Sequence, residues 1–453
     1  MDVPLADTTS ATQRSSIFSL AWPVMVSNLL QTLTMTVDLV MVGSLGAEAP
    51  AAVAAVGLGG NFVYLFFAVM ISVSAGTIAL VARAMGAKDQ DLADHVLKQS
   101  FVLGAILSVP LTLAGVAFAE PVLVVFGATP DVVGPGAMYI RIISLVVFFQ
   151  FLNFLGSAAL RGAGDTVTPL WIGVLVNVVN FGINVNTIYG NAFIPRMGAV
   201  GAAIGTSISY VVGAAVLVVL FLRGKHKLRF HWGGPRGNLT TVRRIFRIGW
   251  PAALEQIMLQ VAFLVWVGMV VVYGTDVLAA HQIGLRIQSF AFMPGFGFAI
   301  AATALVGQDL GARSPAKAEK SGWEAAKLSV FVMTATAVGT FLLAEYISRL
   351  FISDATVIAW SVTFIRIHAV SIPAVGVFFA IDGALRGAGD TRFPLMTSLS
   401  GIYVVRLPLS YVLGFVLGLG IVGVWIPLVV EYWYRAAVIS NHFRRGRWKT
   451  LRV

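Results

Sequence analysis

Long apolar stretches separated by short polar connections set the pattern of this chain. Residues 15–37, 49–82, 99–119, 142–160, 166–195, 197–222, 256–275, 287–308, 328–344 and 407–430 contain no charged side chain. A membrane-spanning helix needs about 20 mainly apolar residues. The longest runs exceed one span and contain Gly or Pro, where they are divided. The pattern then predicts twelve helices, near 15–43, 51–80, 96–118, 135–159, 166–189, 198–222, 246–272, 278–307, 321–343, 355–381, 393–417 and 421–440. The expected class is an all-α polytopic membrane protein.

Composition sharpens this reading. The chain is 58% hydrophobic and 11% charged, against about 25% charged residues in an ordinary soluble domain. There is no cysteine, which excludes disulfides and thiolate-bound metal. The first fourteen residues hold Asp2, Asp7 and Arg14 ahead of a full-length apolar run, so no cleavable signal peptide is expected.

A net charge of +11 could suggest nucleic acid, but its distribution argues for topology. One set of connections and both tails hold Arg83, Lys88, Lys98, the run Arg223 to Arg247, Arg313, Lys317, Lys320 and Arg444 to Arg452. The opposite set holds Arg196 and Arg349 beside Glu48, Glu120, Asp131, Asp276, Glu345 and Asp354. Positive charge collects on the cytoplasmic side. Both termini are therefore expected in the cytoplasm of a multi-pass inner (plasma) membrane protein. The basic face would meet anionic lipid, with no nucleic-acid partner.

The chain also repeats itself. "LRGAGDT" occupies 160–166 and again 385–391, an offset of 225. "ALVARAMGA" (79–87) meets "ALVGQDLGA" (304–312), "YIRI" (139–142) meets "FIRI" (364–367), and Pro169 meets Pro394 at the same offset. "WP" at 22–23 meets "WP" at 250–251, and "GAVG" (198–201) meets "GIVG" (420–423). A match running through both halves signals two repeats. The expected organisation is an N-terminal lobe over 1–222, a basic cytoplasmic linker over 223–245, a C-terminal lobe over 246–440 and a basic tail over 441–453. Six spans per repeat give both lobes one orientation, with a pseudo-twofold axis along the membrane normal. Each "LRGAGDT" falls in the turn after the fourth helix of its repeat. Gly permits a tight turn there, Asp165 or Asp390 can cap the next helix, and Arg161 and Arg386 sit at headgroup level.

With "VDLVMVG" (37–43), "AAHQIGLRI" (279–287) and "FMPGFGFAIAATALVGQDLGA" (292–312), this pattern resembles the multidrug and toxic compound extrusion (MATE) family over nearly the whole chain. The resemblance implies a secondary exporter, not an enzyme, that opens alternately to either side and exchanges cationic or amphipathic organic compounds for H⁺ or Na⁺. A lipid-linked oligosaccharide flippase of the same superfamily is the alternative. It would want a cationic cavity, whereas the polar groups here are mostly acids and amides. No cofactor is expected, and a monomer is.

Ionisable groups inside a membrane are the default functional candidates. Asn28, Gln31, Met35 and Asp38 follow a heptad spacing that places three polar groups on one face of the first helix. Burial favours the neutral form of a carboxyl, so a proton or Na⁺ could discharge Asp38. The resemblance implies a coupling set of Asp38, Asn180, Asn184 and Thr206. Position 184 is Asn where the family pattern has Asp, which leaves one formal negative charge and favours H⁺ over Na⁺. No other metal site is expected.

In the second half, Glu255 and Asp382 are secondary coupling candidates. The family's helix 7 and helix 10 acids would fall at Leu259 and Val375 instead, and Asp382 can neutralise Arg386 at i+4. Arg406 and Glu431 both fall near mid-membrane and could pair between adjacent helices. Substrate or cavity candidates are Gln256, Gln260, His281, Gln282 and Met293, with Asn28, Gln31 and aromatics such as Phe62, Phe154, Phe292 and Phe296.

Overall fold

A computed structural model describes residues 10–191, 193–224, 227–230 and 239–451. The first nine residues of the expected N-terminal lobe, positions 225–226 and 231–238 of the expected linker, and the last two residues of the tail lie outside the described residues. So does the side chain of Met35.

Apart from turns, the described chain is helical. With no water in a hydrocarbon core, backbone N–H and C=O groups must bond within their own segment, which a helix achieves. The helices are α1 Ser10–Gly43, α2 Ala49–Gly86, α3 Gln90–Ala117, α4 Ala119–Val125, α5 Pro130–Leu145, α6 Val147–Gly162, α7 Val167–Tyr189 and α8 Gly198–Arg223. They continue as α9 Leu239–Val271, α10 Thr275–Gly311, α11 Pro315–Leu342, α12 Ala344–Arg349, α13 Ala355–Ala369, α14 Ile372–Gly387, α15 Arg392–Leu399, α16 Leu407–Tyr411 and α17 Gly420–Arg445. Among the described residues ten segments are long and apolar enough to cross a membrane, or up to twelve with each of two bent pairs counted as one span. The protein is an all-helical polytopic membrane protein, and the twelve apolar segments read from the sequence are these.

The bends were not expected. α5 and α6 meet at 53°, and α13 and α14 at 48°. The second bend has a plain cause, since Pro373 in the first turn of α14 cannot donate a backbone hydrogen bond. Side chains also bond carbonyls at this bend: Ser371 Oγ donates to His368 O (2.7 Å), which accepts from Ser371 N as well (2.8 Å), and Trp433 Nε1 donates to Val370 O (3.3 Å). The first bend has no proline at the break. There Thr112 Oγ1 of α3 donates to Ser144 O at 2.8 Å, so a neighbouring helix stabilises the open backbone. α15 and α16 belong to one apolar segment, Arg392–Val416, whose π-helical stretches are Ser400–Arg406 and Val412–Val416.

Two compact units are present: the described residues of Met1–Met25 with Pro251–Val453, and Val26–Trp250. In the unit of Val26–Trp250, α2 packs against α3, α5 and α6, and α7 pairs with α8. In the other unit α10 packs against α11, α13 and α14, and α14 packs on α17. The divisions fall just beyond Pro23 in α1 and just before Pro251 in α9. Ile17 and Ala21 of α1 are fully buried with Phe298, Phe378, Ile381 and Ile439. Gln13 Nε2 donates to Ser321 Oγ (2.9 Å), and Arg14 pairs with Glu324 (3.0 Å). In the unit of Val26–Trp250, early α9 lies close on α2: a Cβ on Gly249 would fall 1.9 Å from Ser72 O.

The repeated "LRGAGDT" has a packing reason. A Cβ on Gly162 would stand 2.8 Å from Ile78 O of α2, and one on Gly387 2.3 Å from Thr303 O of α10. The first glycine therefore lets two helices touch. The second, Gly164 or Gly389, turns the chain at φ +77° or +84°, a conformation that L side chains rarely adopt. Asp165 then accepts from Thr168 N (2.9 Å) and Thr168 Oγ1 (2.7 Å) at the start of α7. Asp390 accepts from Phe393 N at 3.3 Å and meets His442 Nε2 at 2.8 Å.

Candidate functional site

In the unit of Val26–Trp250, α1, α7 and α8 bring four polar side chains together. Asn184 Nδ2 donates to Asp38 Oδ1 at 2.7 Å and to Asn180 Oδ1 at 3.2 Å, and Asn180 Nδ2 donates to Thr206 Oγ1 at 3.2 Å. Turning the Asn180 amide over would aim its nitrogen at Asp38 Oδ1 (3.0 Å) and its oxygen at Thr206 N and Oγ1 (3.3 and 3.2 Å). Either arrangement leaves the carboxylate held by amide donors. Asn180 and Asn184 lie one helical turn apart, so both face the same neighbour. Both are buried, at 2% and 0% exposure, while Asp38 is half-buried.

The backbone makes room for this set. A Cβ on Gly205 would fall 1.9 Å from Asn184 Oδ1, so α8 needs glycine there to receive the amide. Asn184 Oδ1 is buried and accepts no hydrogen bond from the described residues. One turn earlier in α1, Thr34 Oγ1 donates to Asn177 Oδ1 at 2.6 Å and ties α1 to α7 again. Gln31 is exposed and Asn28 half-buried on α1, and neither bonds the amides around Asp38.

Two tyrosines escaped the sequence reading. Tyr139 and Tyr210 both lie within electrostatic reach of Asp38. Tyr139 is 9% exposed, and its ring lies so close over Gly59 that a Cβ there would come within 2.7 Å. The signal was available: Tyr139 opens "YIRI" where the second repeat has Phe364 in "FIRI", so only the first repeat carries the hydroxyl.

The acids of the other unit are arranged differently. Glu255 of α9 accepts from Arg386 Nη2 (2.7 Å) and Ser398 Oγ (2.5 Å), and Arg386 Nε donates to Asp382 (2.7 Å). Arg435 Nη2 donates to Ser398 Oγ (2.6 Å) and its Nη1 to Glu431 (3.0 Å), while Arg406 Nη2 donates to the other oxygen of Glu431. One connected cluster thus contains three carboxylates and three guanidiniums. Gly401 gives it space, since a Cβ there would come within 2.7 Å of Arg435 Cγ. Arg406 also stacks over Trp266 at 5.1 Å. Arg386 does not extend to a headgroup as expected. Two carboxylates within reach draw it inward, and its side chain is only 20% exposed. Arg435 was overlooked, although its i+4 spacing from Glu431 is a readable signal.

His281 is fully buried in this unit, edge-on to Trp266 (4.8 Å) and Phe364 (5.1 Å). Met293 is buried, Gln256 half-buried, and Gln260 and Gln282 are exposed. Arg161, the first-repeat counterpart of Arg386, is half-buried, and its Nε makes no hydrogen bond to the described residues. Among the described residues no three His, Asp or Glu side chains gather as a metal site.

The MatE family profile matches the chain twice, over residues 23–185 and 251–412. The chain is similar to the multidrug resistance protein NorM of Burkholderia vietnamiensis, 31% identical over 412 residues that cover 90% of this chain and 88% of that protein. It is also similar to a probable multidrug resistance protein NorM of Thermotoga maritima, 29% identical over 441 residues, covering 96% and 93%. Among solved structures, it is similar to an outward-facing multidrug resistance MATE family transporter of the MOP superfamily (TM-score 0.88, 25% identity, covering 96% and 95%). It is equally similar to a MOP superfamily transporter from Pyrococcus furiosus described as having a binding pocket of reverse polarity (TM-score 0.89, 25% identity, covering 97% of both chains).

Proposed function

This chain belongs to the MATE family of transporters, and from that premise we propose that it exports cationic or amphipathic organic compounds by antiport against H⁺, with Asp38 as the coupling acid. One observation carries the proposal. Among the described residues Asp38 is held by Asn184 and receives no cationic side chain, whereas Glu255, Asp382 and Glu431 are each paired with arginine. A carboxylate that already has a guanidinium gains little from binding and releasing a proton. A carboxylate held only by neutral donors is free to exchange one. A cation on Asp38 and a cationic drug in the same unit would also compete for one negative charge, which is the thermodynamic requirement for antiport. The amide and acid character of the site suits a cationic cargo.

The ion follows from the ligand count. Na⁺ prefers several oxygen ligands and charge compensation, and with Asn at position 184 the site offers one formal charge. In proteoliposomes with ΔpH and a Na⁺ gradient imposed separately, efflux of a fluorescent organic cation should follow ΔpH. Asn184→Asp should add a response to Na⁺. Efflux driven equally by Na⁺ in the parent chain would overturn the H⁺ assignment.

The proposed orientation puts both termini in the cytoplasm of the plasma membrane. Since the chain has no cysteine, single cysteines can be introduced without background. An impermeant thiol reagent applied to intact cells should label position 276 or 354 and leave 229 and 446 untouched. Labelling at 229 reverses the orientation.

A further inference from the structure

A cavity of about 440 Å³ opens at one end of the unit that contains Pro251–Val453, between the start of α10, the first part of α13 and the start of α17. Its size falls within the range of about 300–1,000 Å³ that takes drug-sized ligands. The walls combine Tyr273, Thr275, Asp276, Val277, Trp360 and Ile421. Gly274, at φ +99°, makes the corner that sets Tyr273 and Asp276 on the same mouth.

The chemistry of the lining is one-sided. Asp276 is exposed to the cavity mouth, and no Lys or Arg is among the lining residues. Its carboxylate meets the neighbouring Thr275 hydroxyl at 3.5 Å. The aromatic walls are fixed in place. The Tyr273 hydroxyl donates to Gly414 O (3.0 Å), and its ring lies 5.4 Å from Phe415. Trp360 is half-buried, with its ring edge-on to the fully buried Trp425 at 6.3 Å and 73°. A tryptophan that merely marks the membrane surface sits at the headgroup level. Trp360 instead lines a cavity that also holds a carboxylate.

An acid with no cation in the lining, beside rigid aromatic faces, is the combination that recognises an organic cation, through charge attraction and the negative face of the ring. We propose that this cavity is a second organic-cation site, separate from the Asp38 set and carried by Asp276, Trp360 and Tyr273. It rests on the reading of the chain as an exporter of cations. In the proposed orientation this end of its unit faces the side to which cargo is released.

The test uses full-length protein in nanodiscs, titrated with tetraphenylphosphonium while tryptophan fluorescence is read. The Asp38→Asn background isolates this site. Asp276→Asn and Trp360→Leu should each weaken the titration about tenfold, equivalent to about 1.4 kcal/mol. Asp276→Glu should restore it. Neutral triphenylphosphine oxide should bind the parent and Asp276→Asn alike. Unchanged tetraphenylphosphonium affinity in both Asp276→Asn and Trp360→Leu overturns the site. Binding is read without any gradient, so a chain that proved to export no cation would fail in efflux while this comparison still gave its own answer.

Discussion

Replacing Asp38 by Asn is expected to abolish ΔpH-driven efflux while leaving the fold intact. The substitution is nearly isosteric, and the carbonyl oxygen of the new amide can still accept the hydrogen bond that Asn184 Nδ2 donates to Asp38 Oδ1 at 2.7 Å. Stability should therefore change by about 1 kcal/mol or less, the net worth of one hydrogen bond. What is lost is the ability to carry a proton. A coupling free energy of about 3 kcal/mol corresponds to roughly a hundredfold change in response, and efflux under an imposed ΔpH should fall by about that factor. Binding of a cationic drug at the Asp38 set should weaken, because an amide at position 38 mimics the protonated acid and offers no negative charge. Normal ΔpH-driven efflux by Asp38→Asn would refute the assignment and move the search to the other unit. There Glu255 is held by Arg386 and Ser398, and its release would need a rearrangement of the whole cluster.

The spans, the duplication and the turns were legible because they depend on local chemistry. Charge-free runs mark apolar segments, and "RGAGD" encodes a close helix contact, a left-handed residue and a cap in five consecutive positions. The Asp38 set was legible only through the family pattern, since Asn180, Asn184 and Thr206 are far from Asp38 in sequence. The bends were hidden for a related reason. A broken helix is stable where another helix satisfies its freed carbonyl, as Thr112 does for Ser144, and one segment's periodicity carries no record of its neighbour. The same holds for the acids of the second half. Asp382 and Arg386 are four residues apart and announce themselves, whereas Glu255 meets Arg386 across 131 positions. That long-range contact makes Glu255 one member of a charge-balanced cluster.

That cluster sets the second large effect. Glu431 is fully buried and accepts from both Arg406 and Arg435, so Glu431→Leu leaves two guanidiniums close together with their shared counter-charge gone. Removing one partner from a buried ion pair costs about 3–5 kcal/mol, and here two pairs fail at once. Arg406→Met is expected to cost less, because Glu431 keeps Arg435 and the vacated space lies beside Trp266 and Tyr432, which tolerate an apolar side chain. The double variant Arg406→Met/Glu431→Leu restores charge balance. Arg435 then retains Ser398 Oγ, which also bonds Glu255, and the face of Phe378 at 3.9 Å. Thermal unfolding in detergent should therefore rank Arg406→Met above the double variant and the double variant above Glu431→Leu alone. The decisive comparison is between the last two. If the double variant unfolds at a temperature lower than Glu431→Leu by the full cost of Arg406→Met, the losses are additive, and the arginines and Glu431 do not act as one electrostatic unit.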